Sequence, residues 1–452
     1  MFGGKLSEVI ALSKRGVFNA KTLVFQRSVR RASSAIAYME ALSEAEIVRF
    51  QDDQCLAIAR HAYETTDFYQ DFYESHGFSQ KDMCDPDVFV ELPALTKDHL
   101  REQSTRFRSS TADPRRFLPS STGGSTGQPL KVYHDAAAPT AAFWWTVYRW
   151  AGAGPWTDVG FVQRERREAS TVWKESLQWW PTQRVFLDSR MMDPGSIQRF
   201  VSTLQKRRDF IIIGYVGAVV ELAEYISRHR LNLEGLRSVS VTAAPLSGAV
   251  REFLQSVFRV PVLNQYRSAE VPWIAAQCRQ GDGLHVLASH RHVGLHTSAD
   301  ARGAKLDLLV TDFANRAFPL VKYAIGDQSR PLAGRCPCGN GFPRIEPIDG
   351  RVTDTLRLPD GSAITGGLTG LFNKHPDAVR QFQIVQRPDS SLLLRCVPTS
   401  PDSVTHIEEA REELNRIVRA QVSVSYELVE QIPHDAGKSR IIKSELPKES
   451  LH

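Results

Sequence analysis

Strand-like and helix-like segments alternate through the middle of this chain, and that alternation limits the fold more than any single motif. The apolar run "DFIIIGY" (Asp209–Tyr215) precedes "VVELAEYISRHR", whose apolar residues recur at helical spacing. "RSVSVTAAPL" then precedes "SGAVREFLQSVF", and "VPVLNQY" closes the series. Strand, helix, strand, helix, strand in this order argues against hairpins. Each helix crosses over the sheet, right-handedly, and returns the chain to a strand parallel to the last. The expected fold is α/β, with a large N-terminal domain of mostly parallel sheets and flanking helices. At 452 residues, 42% of them apolar and 24% charged, the chain is long enough for two or three domains and a large core.

After Gly350 the pattern changes. "GRVTDTLRLPDGSAI" reads as a hairpin turning at Asp360-Gly361, and "QFQIVQRPDSSLLLRCVP" as a second. A charged helix, "SVTHIEEAREELNRIVRAQV", and a final strand, "VSYELVEQI", complete the inventory of a small C-terminal α+β domain. The expected division is 1–350 and 351–452. Upstream, helical spacing covers about 44 to 75, Thr96 is the N-cap candidate of "LPALTKDHLRE", and the tryptophan-rich "FWWTVYRWAG" reads as a packed helix.

Composition removes several functional classes. The net charge of +5 is thinly spread, and the clusters "RERR" and "KRR" are flanked by acidic or apolar residues, as on solvated helix faces. No nucleic-acid partner is expected. No apolar run approaches the ~18 residues of a membrane span. The basic, partly amphipathic N-terminus lacks the apolar block and cleavage site of a signal peptide, so a surface helix and a cytoplasmic, membrane-free protein are expected. Six cysteines are too few and too uneven for a disulfide scaffold.

"PSSTGGSTGQPL", from Pro119 to Leu130, carries the first chemistry. Glycines let backbone N–H groups turn inward around a phosphate, and hydroxyls add donors. The stretch lacks the Walker lysine, and by composition alone such a stretch is more often a flexible linker. The strand-like "LKVYHD" that follows favours a loop borne on a hairpin. "NQYRSAE" ends a strand with an aromatic and then a carboxylate, Glu270. In "KYAIGD", Asp327 follows a glycine, where a carboxylate can either accept hydrogen bonds from two ribose hydroxyls or cap a turn. "GRVTD" opens the smaller domain, and "HDAGKSR" places Lys438 in a glycine-preceded loop, with Lys443 nearby. Cys278, His285, Cys336 and Cys338 offer three sulfurs and an imidazole, a set suited to a closed tetrahedral Zn²⁺ site or to ordinary reduced thiols.

In this order the segments resemble the adenylate-forming ligases, and most closely the phenylacetate–CoA ligase branch, near its subgroup associated with capsular polysaccharide biosynthesis. "FYQDFYESHGF…LPALTKDHLR" is similar to that branch's N-terminal signature, so the likeness spans nearly the whole chain. The resemblance implies ATP-dependent activation of a small carboxylic acid as an acyl-adenylate, then transfer to CoA thiol. Transfer to an amine, or adenylyl transfer to a coenzyme hydroxyl, are the alternatives, and a homodimer is compatible with all three. The implied catalytic set is Lys438, Glu270 and Thr122. Ser120, Ser121, Thr122, Gly123, Gly124, Ser125, Thr126 and Gly127 would hold phosphates, Tyr266 adenine, Asp327 the ribose, and Arg351 ribose or phosphate. Thr122 and Glu270 would neighbour Mg²⁺, Asp354 would be the hinge of a mobile small domain, and the Cys/His set would hold structural Zn²⁺. Tyr215, Val216, Ala243, Ala244 and Arg267 would line the acyl side. The sequence departs from the family at Arg267, where glycine is usual, at Ala244, where an acid is common, and in the hinge wording of "GRVTDTLRLPDG". All three departures fall on the acyl or acceptor side.

Overall fold

The computed structural model describes residues 2–122, 130–164, 169–243, 246, 248–296, 306–348, 356–360, 363–364, 368, 371–372, 375, 378–430, 432 and 442–446. The chain divides into two compact units: 1–55, 137–314 and 328–348 form the first, and 56–136, 315–327 and 349–452 the second. No helix among the described residues is long and apolar enough to cross a membrane.

The first unit is built on one sheet. Its described strands run, edge to edge, Pro331–Leu332, Arg344–Ile345, Leu284–Val286, Ala275–Ala276, Val262–Tyr266, Leu236–Thr242, Phe210–Tyr215, Asp158–Gln163 and Arg184–Asp188. The five from Val262–Tyr266 to Arg184–Asp188 are mutually parallel, as the alternation required, and the short ones beyond are antiparallel. Phe210, Ile211, Ile212 and Ile213 are all fully buried, which explains why this strand reads as an unbroken apolar run. Ile212 packs with the helices Pro194–Gln205, Val216–Arg228 and Gly248–Phe258. Ile211 and Ile213 meet Tyr148 of the helix Thr140–Trp150. At Gly214 a Cβ would stand 2.6 Å from Val219 and 2.7 Å from the Val162 carbonyl, so only glycine lets helix and strand approach this closely.

Local signals set the helix ends. Asp193 accepts from the Ser196 N–H at 2.9 Å, and Pro194 occupies the first turn. The N-terminal segment is helical from Phe2 to Phe25, with the Phe18 ring 5.3 Å from Trp145 and Lys14 paired to Asp158 at 2.5 Å. The tryptophan-rich segment is the packed helix the sequence suggested. Arg149 grips Glu40 with both terminal nitrogens, and the Trp150 indole N–H donates to the same carboxylate at 3.0 Å.

In the second unit, the pattern expected as helix from 44 to 75 breaks at Thr66. Its hydroxyl caps a new helix, Asp67–Ser75, by accepting from Tyr69 N–H. Thr96 caps Lys97–Gln103 in a reciprocal box with His99. The "FYQDFY" aromatics form a core: Phe68 stacks on Phe107 at 3.9 Å, and Phe107 meets Phe318 at 5.5 Å. The C-terminal part is a sheet in the order Val424–Leu428, Leu392–Pro398, Val379–Gln386, Ile442–Ser444, with the helix Ser403–Ile417 and an apolar core of its own. Among the described residues the last strand is therefore Ile442–Ser444, not the one ending "VSYELVEQI". Three residues of mixed polarity carry no recognisable period, and only their pairing with Val379–Gln386 defines them.

The hairpin expected around the Ser/Thr/Gly loop is present. Phe117–Thr122 pairs antiparallel with Leu130–Asp135, ending at Thr122 opposite Leu130, and the loop 123–129 lies outside the described residues. Asp135, almost fully buried, holds its base: it accepts twice from the Arg116 guanidinium and once, at 3.1 Å, from Ala317 N–H. Removing Asp135 returns the partly exposed Arg116 to water but leaves the Ala317 N–H unpaired. Asp135→Ala should lower unfolding stability by about 1–2 kcal/mol, read as a shift of the urea midpoint; an unchanged midpoint would show that the hairpin base does not depend on this clamp.

Candidate active site and metal cluster

Parallel register brings three loops to one edge of the first unit's sheet. Tyr215 pairs with Thr242, and Val241 with Asn264, so Tyr266 comes level with Ala243. In open parallel sheets, ligands bind beyond the carboxyl ends of the strands, where this edge lies. Tyr215, half-buried, ends its strand and Val216 opens the following helix. Ala243 has φ +72°, a left-handed turn that takes the chain abruptly off the sheet. Tyr266 and Glu270 are buried, and between them the Ser268 hydroxyl accepts from Val271 N–H at 2.9 Å. Ala244 lies outside the described residues.

Arg267 begins this same turn. Its guanidinium carbon stands 4.3 Å from the Trp273 ring centroid and 5.1 Å from that of Trp144. Burial draws its pKa below the ordinary arginine value, and the nearby Tyr215 and Tyr148 phenols oppose the shift. Trp273 is fully buried with φ +60°, an uncommon conformation for a bulky residue. Trp273 was not singled out by the sequence, because nothing local marks a tryptophan that folds back over an arginine six residues earlier, and Tyr148 was read only as part of the packed helix "FWWTVYRWAG".

In the second unit, Asp327 is half-buried on the strand Tyr323–Ser329, just after Gly326 at φ +80°. The N-terminal signature holds this segment in place. Leu95 bridges Tyr323 in parallel, with Leu95 N–H donating to Lys322 O at 3.1 Å and Ala324 N–H to Leu95 O at 2.8 Å. The buried Tyr69 hydroxyl accepts from Val321 N–H, and the Lys322 ammonium donates to Val90 O at 2.8 Å. Ser120, Ser121 and Thr122 lie on the hairpin strand that leads into the loop. Gly123, Gly124, Ser125, Thr126, Gly127, Arg351, Asp354 and Lys438 fall outside the described residues. Lys443 is described: it sits within Ile442–Ser444, 3.5 Å from Glu445.

The Cys/His group is brought together. Cys278 follows the strand Ala275–Ala276, His285 lies within Leu284–Val286, and Cys336 and Cys338 occupy the loop between Pro331–Leu332 and Arg344–Ile345. Cys278 Sγ is 3.5 Å from Cys336 Sγ, Cys338 Sγ is 3.4 Å from His285 Nε2, and all four donor atoms lie within 4.8 Å of one another. Tetrahedral zinc with its usual bond lengths separates such donors by about 3.5–3.8 Å, so the set fits that metal with no position left open. Burial lowers the His285 pKa to about 4, which leaves a neutral imidazole suited to ligation. Gly339, at φ +81°, turns the chain after Cys338.

The CapK C-terminal domain family matches residues 356–445. Protein CapK of Staphylococcus aureus is 21% identical over 401 residues, covering 87% of this chain and 88% of the relative. Phenylacetate-coenzyme A ligase of Thermus thermophilus is 22% identical over 374 residues, covering 78% and 81%. Among solved structures, 2-hydroxyisobutyryl-CoA ligase in complex with 2-HIB-AMP and CoA in the thioesterification state shares the fold, with TM-score 0.62 at 18% identity over 91% of this chain and 93% of that one. The chain is a homologue of CapK and of the phenylacetate-coenzyme A ligases, and its fold is that of a CoA ligase.

The tightest point of the metal cluster is Gly281, where a Cβ would stand 2.4 Å from Cys336 Sγ. Gly281→Ala should therefore push that thiol out of place and cost roughly 1–3 kcal/mol, measured as a fall in Tm; an unaltered Tm would show that the loop relaxes freely.

Proposed function

We propose that this protein is an ATP-dependent carboxylic acid ligase that forms an acyl-adenylate and passes the acyl group, from an aryl or similar acid, to the thiol of CoA. The observation that carries this reading is end-to-end likeness: the five motif segments keep the family's order in a chain that matches a phenylacetate-coenzyme A ligase over 78% of its length. Its fold is also that of a ligase solved with an acyl-AMP and CoA.

A carboxylate is a poor acyl donor because oxide leaves badly. Attack by one carboxylate oxygen on the α-phosphorus of ATP breaks the bond to the β-phosphate oxygen and releases pyrophosphate. Positioning and charge neutralisation supply most of the acceleration of such a step. In this reading the segment Ser120–Gly127 holds the departing phosphates, Tyr266 stacks on adenine, and Asp327 accepts hydrogen bonds from the ribose hydroxyls. Arg351 reaches ribose or phosphate. Lys438 neutralises the charge between acyl carboxylate and α-phosphate. Mg²⁺ supplies further neutralisation, and the oxygen donors Glu270 and Thr122 suit it. Asp354 is the hinge on which residues 351–452 move, taking Lys438 away before the thiol attacks the acyl carbon and expels AMP.

Acid-dependent exchange of labelled pyrophosphate into ATP tests the first half-reaction. An active acid, followed by acceptor assays with CoA, amines and a coenzyme hydroxyl, would name both substrates; silence over aryl, aliphatic and amino acids would remove the reading. Lys438→Ala should lower exchange by about 10²–10³-fold, whereas Lys443→Ala should leave it within about twofold. The reverse pattern would transfer the role to Lys443.

The cluster Cys278, His285, Cys336 and Cys338 is assigned to one structural Zn²⁺, which staples the loops at the antiparallel end of the sheet. Elemental analysis should find about one zinc per chain, and Cys336→Ser should lose it with a lowered Tm. Absence of metal in the unaltered protein would make these ordinary thiols.

A further inference from the structure

Arg267 is a half-buried cation with no acidic partner among the described residues, at the edge where the ligase reading places the acyl group. Trp273 and Trp144 cover its guanidinium, and the two indoles meet edge to face with centroids 4.5 Å apart. The Tyr215 and Tyr148 phenols are the titratable groups that act on it, and no carboxylate among the described residues forms an ion pair with it. Ring faces soften the cost of keeping such a charge away from water, but they leave its N–H donors without oxygen acceptors. Arg267 keeps partial access to solvent, so this arrangement is open to a ligand.

A second, independent feature points to the same place. Tyr148 is 3% exposed, and its hydroxyl has no hydrogen-bond partner among the described residues. Burial raises its pKa, so the phenol stays protonated at neutral pH, while Arg184 and Arg267 exert the electrostatic influence on it. The Tyr148 ring lies one helical turn from Trp144, with centroids 5.7 Å apart, and Trp144 covers the Arg267 guanidinium, so an unpartnered hydroxyl and a cation border the same indole, a donor set suited to an anion. A planar carboxylate matches it, accepting two parallel N–H bonds from arginine and one O–H bond from the phenol. The surrounding tryptophans and Phe161, 5.7 Å from Trp144, suit the apolar body of the same molecule.

We infer that Arg267 and Tyr148 form a second-anion subsite, and that the acid this protein activates carries a further carboxylate at the end remote from the one that is adenylated. This rests on the ligase reading for its chemistry, but the binding it requires does not depend on turnover. One carboxylate would be activated while the other, held by Arg267, fixes the substrate's orientation. Acids lacking it would leave the guanidinium and the phenol unpaired, which is how a polar site rejects a close analogue.

The test compares matched pairs, isophthalate with benzoate and glutarate with butyrate, first by titration calorimetry without ATP and then by pyrophosphate exchange. The unaltered protein should favour one diacid over its monoacid by about 10²-fold or more. Arg267→Leu should collapse that ratio toward one, Arg267→Lys should retain part of it, and Tyr148→Phe, which removes a single oxygen, should lower it several-fold. Calorimetric preference that vanishes in Arg267→Leu, without exchange by any acid, would uphold the subsite and overturn the ligase reading. Exchange with monoacids alone, with a ratio indifferent to Arg267, would overturn the subsite and uphold the ligase. No binding of any diacid would likewise overturn the subsite.

Discussion

Parallel pairing of the strands that end at Tyr215, Thr242 and Tyr266 is the constraint on which the rest of the candidate site depends. Each hydrogen-bonded register step advances the chain by a fixed rise, so residues distant in sequence finish level with one another. The crossover helices make this possible because they return each strand in the same direction. Gly214 shows how closely they pack, since any side chain there would collide with Val219 and with the neighbouring strand. The loops beyond the strand ends are then free to carry chemistry, as Ala243 does by turning left-handed and as the turn from Arg267 to Trp273 does by folding back. A rigid sheet with adaptable loops is the usual division of labour in α/β enzymes.

The second unit holds its nucleotide-binding candidates by another route. Asp327 lies on a strand that gains its pairing from Leu95, and its approach is held by the Tyr69 hydroxyl and the Lys322 ammonium. The aromatic signature "FYQDFYESHGF" is therefore a packing device: Phe68, Phe107 and Phe318 stack together, which fixes the segment leading to Tyr323 and Asp327. The hairpin that carries Ser120 and Thr122 is tied to the same segment, since Asp135 accepts from Ala317 N–H and Asn315 donates to Tyr133 O at 2.8 Å.

The Cys/His cluster and Arg267 are two different answers to the cost of burying polar groups. In the cluster, four soft or neutral donors face one another at distances that a single cation would satisfy, beside an apolar core that includes Trp150 and Phe342. At Arg267 the charge is already present and aromatic faces cover it without neutralising it. By contrast, Arg291 is almost fully buried but is paired with Asp312 and also donates to the Pro272 carbonyl at 2.8 Å, so its charge is compensated within the protein. The comparison separates a structural arginine from one suited to a ligand, on grounds that sequence context does not provide.

What the sequence by itself determined is what local periodicity and local chemistry encode. The strand–helix alternation fixed the parallel sheet, the flanking "LKVYHD" marked the loop as part of a hairpin, and Thr96 announced its helix because a hydroxyl there meets its own helix N–H groups. The cysteine and histidine spacing picked out four residues that do converge. Tertiary structure alone decided the rest. Ile442–Ser444 is a strand only because Val379–Gln386 offers it a parallel edge, and Thr66 interrupts a helical pattern that periodicity would continue. The first unit draws on three separated stretches of chain, and Arg267 acquires its surroundings from Trp144, Tyr148, Tyr215 and Trp273. The physical reason is common to all of these. Hydrogen-bond ladders, ring stacks and the loss of water around a charge are made between residues far apart in the chain, and their energies depend on distances that no local pattern records.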